Sequence, residues 1–263
     1  MTQRPDGAFE LTAAQRGILY AQQLTPAPIT IAHFVEIEGD LDTAALSAAI
    51  VQEARESGYR CLRLGMAGGE PYQIVDEALG DTVSVHDFRD SDDPEAAARE
   101  WMRAEYTAPL DVFDDQLSLM ALLRVGSRRY FWYGRAHHIV QDGYAATRTL
   151  QRVAALYTAI IEGDRPQPTP FGALAAVADD ERAYRNSPEA GADREYWRGH
   201  LAGAPDPVGL AGRSVPPPDT MPARKRSPPG QRSFRREVVR RPPWPGFSMS
   251  TSFSGGSAVA KSA

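Results

Sequence analysis

The stretch Ala136-His137-His138-Ile139-Val140-Gln141-Asp142-Gly143 decides how this chain is read. It follows an aromatic, strand-forming run, Tyr130-Phe131-Trp132-Tyr133, and opens an apolar series at helical spacing: Leu150, Val153, Ala154, Tyr157 and Ile161. The predicted local order is strand, polar junction, helix. Successive side chains at a strand end point to opposite faces, so one of His137 and His138 faces a reaction channel while the other packs inside. Imidazole suits proton transfer near neutral pH, because the neutral ring accepts a proton from an attacking amine or hydroxyl. An ordinary structural pair of histidines fits the same residues, and Asp142-Gly143 fits plain turn chemistry ahead of a helix. A shared metal fits poorly, since His33, His86 and His200 follow no ligand spacing around the lone cysteine, Cys61.

Composition narrows the function classes. A hydrophobic content of 42% over 263 residues supports a real core. The net charge is -5 and no basic stripe precedes the last third of the chain, which gives no support for a nucleic-acid or anionic-membrane surface. The single cysteine excludes an internal disulfide framework and fits a reducing compartment. Met1 to Asp6 lacks the apolar stretch of a signal peptide, and no later run is long enough to cross a bilayer. The expectation is a cytoplasmic protein with neither nucleic acid nor membrane as partner.

Working outward, Thr12 and Gln15 form a capping-box pattern ahead of Ile18, Leu19 and Leu24. Ala32 to Ile37 reads as a strand, and Asp42 caps a helix carrying Ala45, Leu46, Ala49, Ile50 and Ala54. Tyr59 to Leu62 and Pro71 to Val75 read as short strands around a Gly68-Gly69 turn, the second starting after Pro71 or lying at an edge. Thr82 to Val85 is a further strand, and Asp93-Pro94 opens a helix towards Tyr106. Leu117 to Val125 and Arg129 to Ile139 are two apolar strands joined by a tight turn, and residues 171 to 184 and 190 to 201 read as helices. The fold class is α/β, an α+β lobe built on a mixed sheet. From Gly203 prolines cluster, arginines crowd Gln231 to Arg241, and the end is rich in Ser, Gly and Ala. This tail is expected to be disordered or frame-disrupted, with a basic binding tail as the other reading.

The run His137 to Gly143 resembles the HHxxxDG signature of nonribosomal peptide synthetase condensation domains, whose fold is similar to chloramphenicol acetyltransferase. Leu11 to Leu19 resembles the first motif of that family, and Phe171 to Leu174, Tyr184 and Glu195-Tyr196-Trp197 resemble the helical connection beyond its active site. The resemblance implies a catalytic role for His138 and supporting roles for His137, Asp142, Gly143 and Arg60. Asp142 is then a structural carboxylate paired with an arginine of the second motif, with Arg60 as partner and Arg63 as the other candidate, although Glu53 to Arg60 departs from the family's usual RHExLR pattern. Gly143 admits close approach of a carrier arm.

The implied reaction joins two thioester-borne substrates held on the phosphopantetheine of donor and acceptor peptidyl carrier proteins. No intrinsic cofactor or metal is implied; an adenylation domain and a second lobe are the further partners. The implied organisation is an N-terminal lobe over 8–165, a helical connection over 170–203 and the tail over 204–263. Motifs of the second lobe have no match after Gly203, which gives the expectation of an incomplete or frame-disrupted gene and a weakly active or inactive fragment. The early onset of the first motif gives the expectation that the domain begins its polypeptide. Two other readings stand beside it: a stand-alone acyltransferase using acyl-CoA, and a noncatalytic lobe that binds a carrier protein or complements a second lobe. Paired aspartates replace the histidines in cyclising relatives, whereas epimerising ones share the motif.

Overall fold

The computed structural model describes residues 3–25, 27–204 and 248–255. In chain order these form β1 (Phe9–Glu10), α1 (Ala13–Gln23), β2 (Thr30–Glu38), α2 (Thr43–Ser57), β3 (Leu62–Ala67), β4 (Glu70–Val75), β5 (Ser84–Asp87), α3 (Pro94–Thr107), β6 (Ser118–Arg124), β7 (Arg129–His137), α4 (Gly143–Glu162), α5 (Leu174–Arg185), α6 (Pro188–His200) and β8 (Ser248–Gly255). Five strands make the main sheet in the order β5-β6-β7-β2-β8, with β5 parallel to β6 and the other pairs antiparallel. A smaller sheet has the order β1-β4-β3. The α+β mixed sheet is therefore present. Of the tail, 205–247 and 256–263 lie outside the described residues, while Ser248–Gly255 pairs with β2 from Ile31 to Glu38.

Alternation along the central strands decides which helix covers which face. Val35 and Ile37 of β2, Met120 and Leu122 of β6, and Tyr130 and Trp132 of β7 point to one side, where Leu46 and Ile50 of α2 and Val153 and Leu156 of α4 close the core. Ala32, Ala121, Leu123, Phe131 and Tyr133 point to the other, against Ala98 and Met102 of α3. A third cluster joins Leu11, Leu19, Leu64, Val112 and Leu117 to Ile139, and so packs α1 and β3 against the residues that follow β7.

The helix starts are set by side-chain caps. Thr12 and Gln15 satisfy each other's backbone in a capping box, and Asp42, Asp93 and Asp142 each accept the N–H three residues on. Gly58 ends α2 at φ 72°, a left-handed conformation that glycine adopts without a Cβ clash. The strand expected from Tyr59 is not there: Tyr59–Cys61 is a short 3-10 turn and β3 begins at Leu62. Its apolar pattern suits a strand, but the chain has just turned at Gly58 and needs these residues to re-enter the core. Pro71 lies inside β4, yet β1 reaches only Tyr72 and Gln73, so the strand edge beside the proline is unpaired by β1.

α2 and α4 are also joined by polar groups. Arg152 grips both carboxylate oxygens of Glu56, at 2.6 and 2.9 Å. Deeper between the helices, the Gln141 amide donates to Thr149 Oγ1 at 3.3 Å, and the Thr149 hydroxyl donates to Glu53 Oε1 at 3.1 Å. Glu53 is fully buried, and burial raises its carboxyl from the ordinary 4.5 to about 7 against the opposing help of Ser57, Thr149 and Arg60. Its stabilising contribution is complete below pH 4.5 and is lost as the pH rises through 7. Glu53→Gln keeps the acceptor for Thr149 and removes the ionisation. Urea unfolding is expected to show the variant gaining on the parent between pH 5 and pH 8, by on the order of 2 kcal/mol; equal pH dependence in both proteins would contradict this placement of Glu53.

Candidate active site

The two histidines sit where β7 ends. His137 is the last strand residue, opposite Thr30 of β2, and His138 begins the turn that leads to α4. Three backbone bonds hold this turn: His137 N–H to Leu117 O at 2.7 Å, His138 N–H to Ile29 O at 2.7 Å, and Val140 N–H to His137 O at 3.0 Å. The turn is thus pinned to the chain ahead of β2 and to the chain ahead of β6.

The two rings differ. His137 is fully buried, whereas His138 is half-buried. The Ile139 N–H donates to His137 Nδ1 at 3.1 Å, which leaves the ring proton on Nε2, from where it is donated to Gln22 Oε1 at 3.0 Å. Burial first, then His138 and Arg135, push the His137 pKa down to about 4. It is therefore a neutral ring with a fixed tautomer. His138 has its backbone fixed and its ring partly open to solvent, an arrangement that leaves its side chain available to a reactant.

Helix α1 touches the turn at two points. Gln22 meets His137, and Gln15 Nε2 donates to Ile139 O at 3.1 Å. Gln15 also forms a reciprocal amide pair with the buried Gln73 of β4, both bonds 2.8 Å, and Gln73 donates onward to Glu10 O at 2.9 Å. At the other end of α1, Glu181 of α5 accepts the Ala13 N–H at 2.9 Å and Arg185 bonds Glu10 at 3.0 Å. Helix α5 thus braces the same helix that braces the histidines.

Asp142 and Arg60 are not brought together. Asp142 is exposed and caps α4 through Ala145 N–H at 2.7 Å. Arg60 is buried beneath α2, donating to Ile50 O at 3.3 Å and Thr82 O at 2.8 Å, and Arg63 pairs with Asp76 at 3.0 Å. The expected Asp142–Arg60 pair is therefore replaced by a helix cap on one side and carbonyl contacts on the other; the 3-10 turn at Tyr59–Cys61 carries the guanidinium into the core. Gly143 opens α4 with no positive φ, and a Cβ built there meets nothing within 4 Å. Neither backbone nor packing within the described residues demands glycine at this position.

Gln22, Gln73, Gln141, Thr149 and Glu53 are the residues that sequence reasoning missed. The available signal was spacing: Gln15 and Gln22 stand seven residues apart, two helical turns, beside the apolar face of α1. Among the described residues no group of three or more His, Cys, Asp or Glu is placed to hold a metal ion, and no helix is long and apolar enough to cross a membrane.

Comparison with known proteins places this geometry. The condensation-domain family model matches residues 6–235. A dimodular nonribosomal peptide synthase of Bacillus subtilis is 36% identical over 216 residues, covering 81% of this chain and 9% of that protein. An isonitrile lipopeptide synthase of Streptomyces coeruleorubidus is 35% identical over 217 residues, covering 80% and 15%. Among solved structures, the starter condensation domain of rhizomide synthetase RzmA, a double mutant in complex with C8-CoA and Leu-SNAC, superposes with a TM-score of 0.72 at 34% identity, covering 80% of this chain and 48% of that one. The first condensation domain of the CDA synthetase gives a TM-score of 0.64 at 30% identity, covering 78% and 53%. The chain spans about half the length of these solved chains and a far smaller share of the curated relatives.

The contrast between the histidines is measurable. Removing the His137 ring strands the buried Ile139 N–H, takes one of two donors from Gln22 Oε1 and leaves a cavity, so His137→Ala is expected to cost on the order of 2 kcal/mol or more. His138→Ala is expected to stay within about 1 kcal/mol of the parent. Thermal or urea unfolding of the two variants checks this, and equal losses would contradict it.

Proposed function

The chain belongs to the condensation-domain family, and from that premise we propose that it supplies the histidine half of a site joining a thioester-borne acyl group to an amine. The proposed donor is an acyl-CoA and the proposed acceptor an aminoacyl thioester. The observation that carries this reading is the half-buried His138, held by its backbone beside a buried neutral partner, in a chain 34% identical to a starter condensation domain solved with C8-CoA and Leu-SNAC. Phosphopantetheine enters as the arm that CoA and carrier proteins share, belonging to the substrate rather than to this chain.

In the proposed step the acceptor nitrogen attacks the thioester carbonyl carbon, a C–N bond forms, and the carbonyl electron pair moves to oxygen. Collapse of that intermediate breaks the C–S bond and releases the thiol. His138 takes the proton that the nitrogen loses and returns it to the departing sulfur. His137 keeps the turn in place, Asp142 caps α4, and Arg60 supports the core beneath α2. Open space over Gly143 supports passage of the pantetheine arm there.

Carrier-bound donors are the second reading, favoured by likeness to the dimodular synthase and to enterobactin synthase component F of Escherichia coli. Carrier proteins, an adenylation domain that loads the acceptor, and a second lobe are the proposed partners. Tyr196, Trp197 and Leu201 on and just beyond α6 stand 62%, 56% and 59% exposed, an apolar face that supports a protein partner on the helical connection.

The test is thiol release from C8-CoA with Leu-SNAC as acceptor, read together with mass detection of the acyl-leucyl product. Turnover is expected in the parent once the second lobe of a condensation domain is supplied, with a loss of roughly 100-fold or more in His138→Ala and slowed turnover without loss of stability in Gly143→Ala. Reaction only when the acyl group rides on a carrier protein would shift the assignment to the second reading. No product from either donor, with the second lobe present as well as absent, would overturn acyl transfer.

A further inference from the structure

We propose that Gln22 is a positioning residue for the reacting histidine, because its one side-chain amide fixes both the ring of His137 and the carbonyl that anchors His138. This inference rests on the acyl-transfer reading for its consequence and on hydrogen-bond geometry for its substance.

The orientation of the amide is determined by its partners. Ile29 N–H can only donate, and it lies 2.8 Å from Gln22 Oε1. The same oxygen takes the His137 Nε2 proton at 3.0 Å. On the other side Gln22 Nε2 donates to Thr25 O and Ala27 O, both at 3.1 Å. Thr25, Ala27 and Ile29 are thereby each tied to the last turn of α1, and Ile29 O receives the His138 N–H at 2.7 Å. His138 is held through two routes that start at one atom, Gln22 Oε1: the ring of the preceding residue and the strand entry beside it.

A neutral amide suits this position for an electrostatic reason. The ring of His137 is buried and neutral, and the titratable and charged groups acting on it are His138 and Arg135. A carboxylate in place of the amide would draw a proton onto His137 and set a positive charge beside the ring that has to accept one. It would also face the carbonyls of Thr25 and Ala27 with no proton to donate. Glutamine supplies the acceptor on one side and both donors on the other, and leaves the neighbour of His138 uncharged.

The experiment labels histidine ring nitrogens with 15N in the full chain and compares the parent with Gln22→Met and Gln22→Glu by long-range 1H–15N spectra. In the parent, His137 is expected to be neutral with its proton on Nε2 at pH 7. Gln22→Met, similar in length and without the polar atoms, is expected to lose that single tautomer and to move the signals of His138, which Gln22 does not touch. Gln22→Glu is expected to protonate His137 at pH 7. In the acyl-transfer assay both substitutions are expected to lower kcat by about 10- to 100-fold with little change in KM, the mark of misplaced chemistry rather than lost binding. A folded Gln22→Met with unchanged His137 and His138 spectra would overturn the proposal. Should that variant not fold, Gln22→Glu decides it, since His137 and His138 spectra unchanged from the parent at pH 7 would contradict the contact. If the spectra change as stated while the parent transfers no acyl group, the acyl-transfer reading fails and the role of Gln22 in holding the histidines stands.

Discussion

Two amides on one helix hold the turn that carries the histidines, and much of the surrounding structure serves to keep that helix where it is. Gln15 and Gln22 lie two turns apart on α1, one bonded to Ile139 O and the other to the ring of His137. The capping box at Thr12, the Gln73 amide pair and the Glu181 contact fix the start of α1, while Thr25, Ala27 and Ile29 are gathered around its end. The buried cluster of Leu11, Leu19, Leu64 and Ile139 supplies the apolar side of the same joint. A small movement of α1 therefore displaces both histidines together, which couples the Leu11 to Leu19 motif to the His137 to Gly143 run in physical terms.

On the far side of the turn, Gln141 connects the loop to the interior through Thr149 and Glu53. The chain of donors runs one way, from amide to hydroxyl to carboxyl, and ends on a group that burial keeps largely protonated below neutrality. Such a line is worth more as a constraint on geometry than as a source of stability, because a buried carboxyl opposes folding once it ionises. The Arg152–Glu56 clamp, nearer the surface, keeps α2 and α4 in register around it.

Much of the fold was legible in the sequence because its signals are local. Thr12, Asp42, Asp93 and Asp142 announce helix starts, and the unbroken apolar runs Met120 to Leu123 and Tyr130 to Tyr133 announce strands covered on both faces. The turn at Tyr59–Cys61 was missed since three residues with a strand-like pattern carry no mark of the bend imposed by Gly58. At the site, motif resemblance singled out the two histidines, which share one turn, and paired Arg60 with Asp142, a pair that does not form because the Arg60 side chain is claimed by the carbonyls of Ile50 and Thr82. Gln22 left only its seven-residue spacing from Gln15 as a mark: a polar residue near a helix end reads as surface, and the return of the chain through Ile29 and β7 makes it a partner of His137.

In the proposed reaction the held turn presents His138 to a thioester. A crystal structure of the chain with C8-CoA bound tests it most directly. The thioester carbonyl is expected beside the His138 imidazole, within about 3.2 Å or through one water, with the pantetheine arm passing over Gly143 and the His137 ring still on Gln22. Coenzyme bound away from Gly143, or His138 turned from the thioester with its backbone anchor on Ile29 intact, would contradict it.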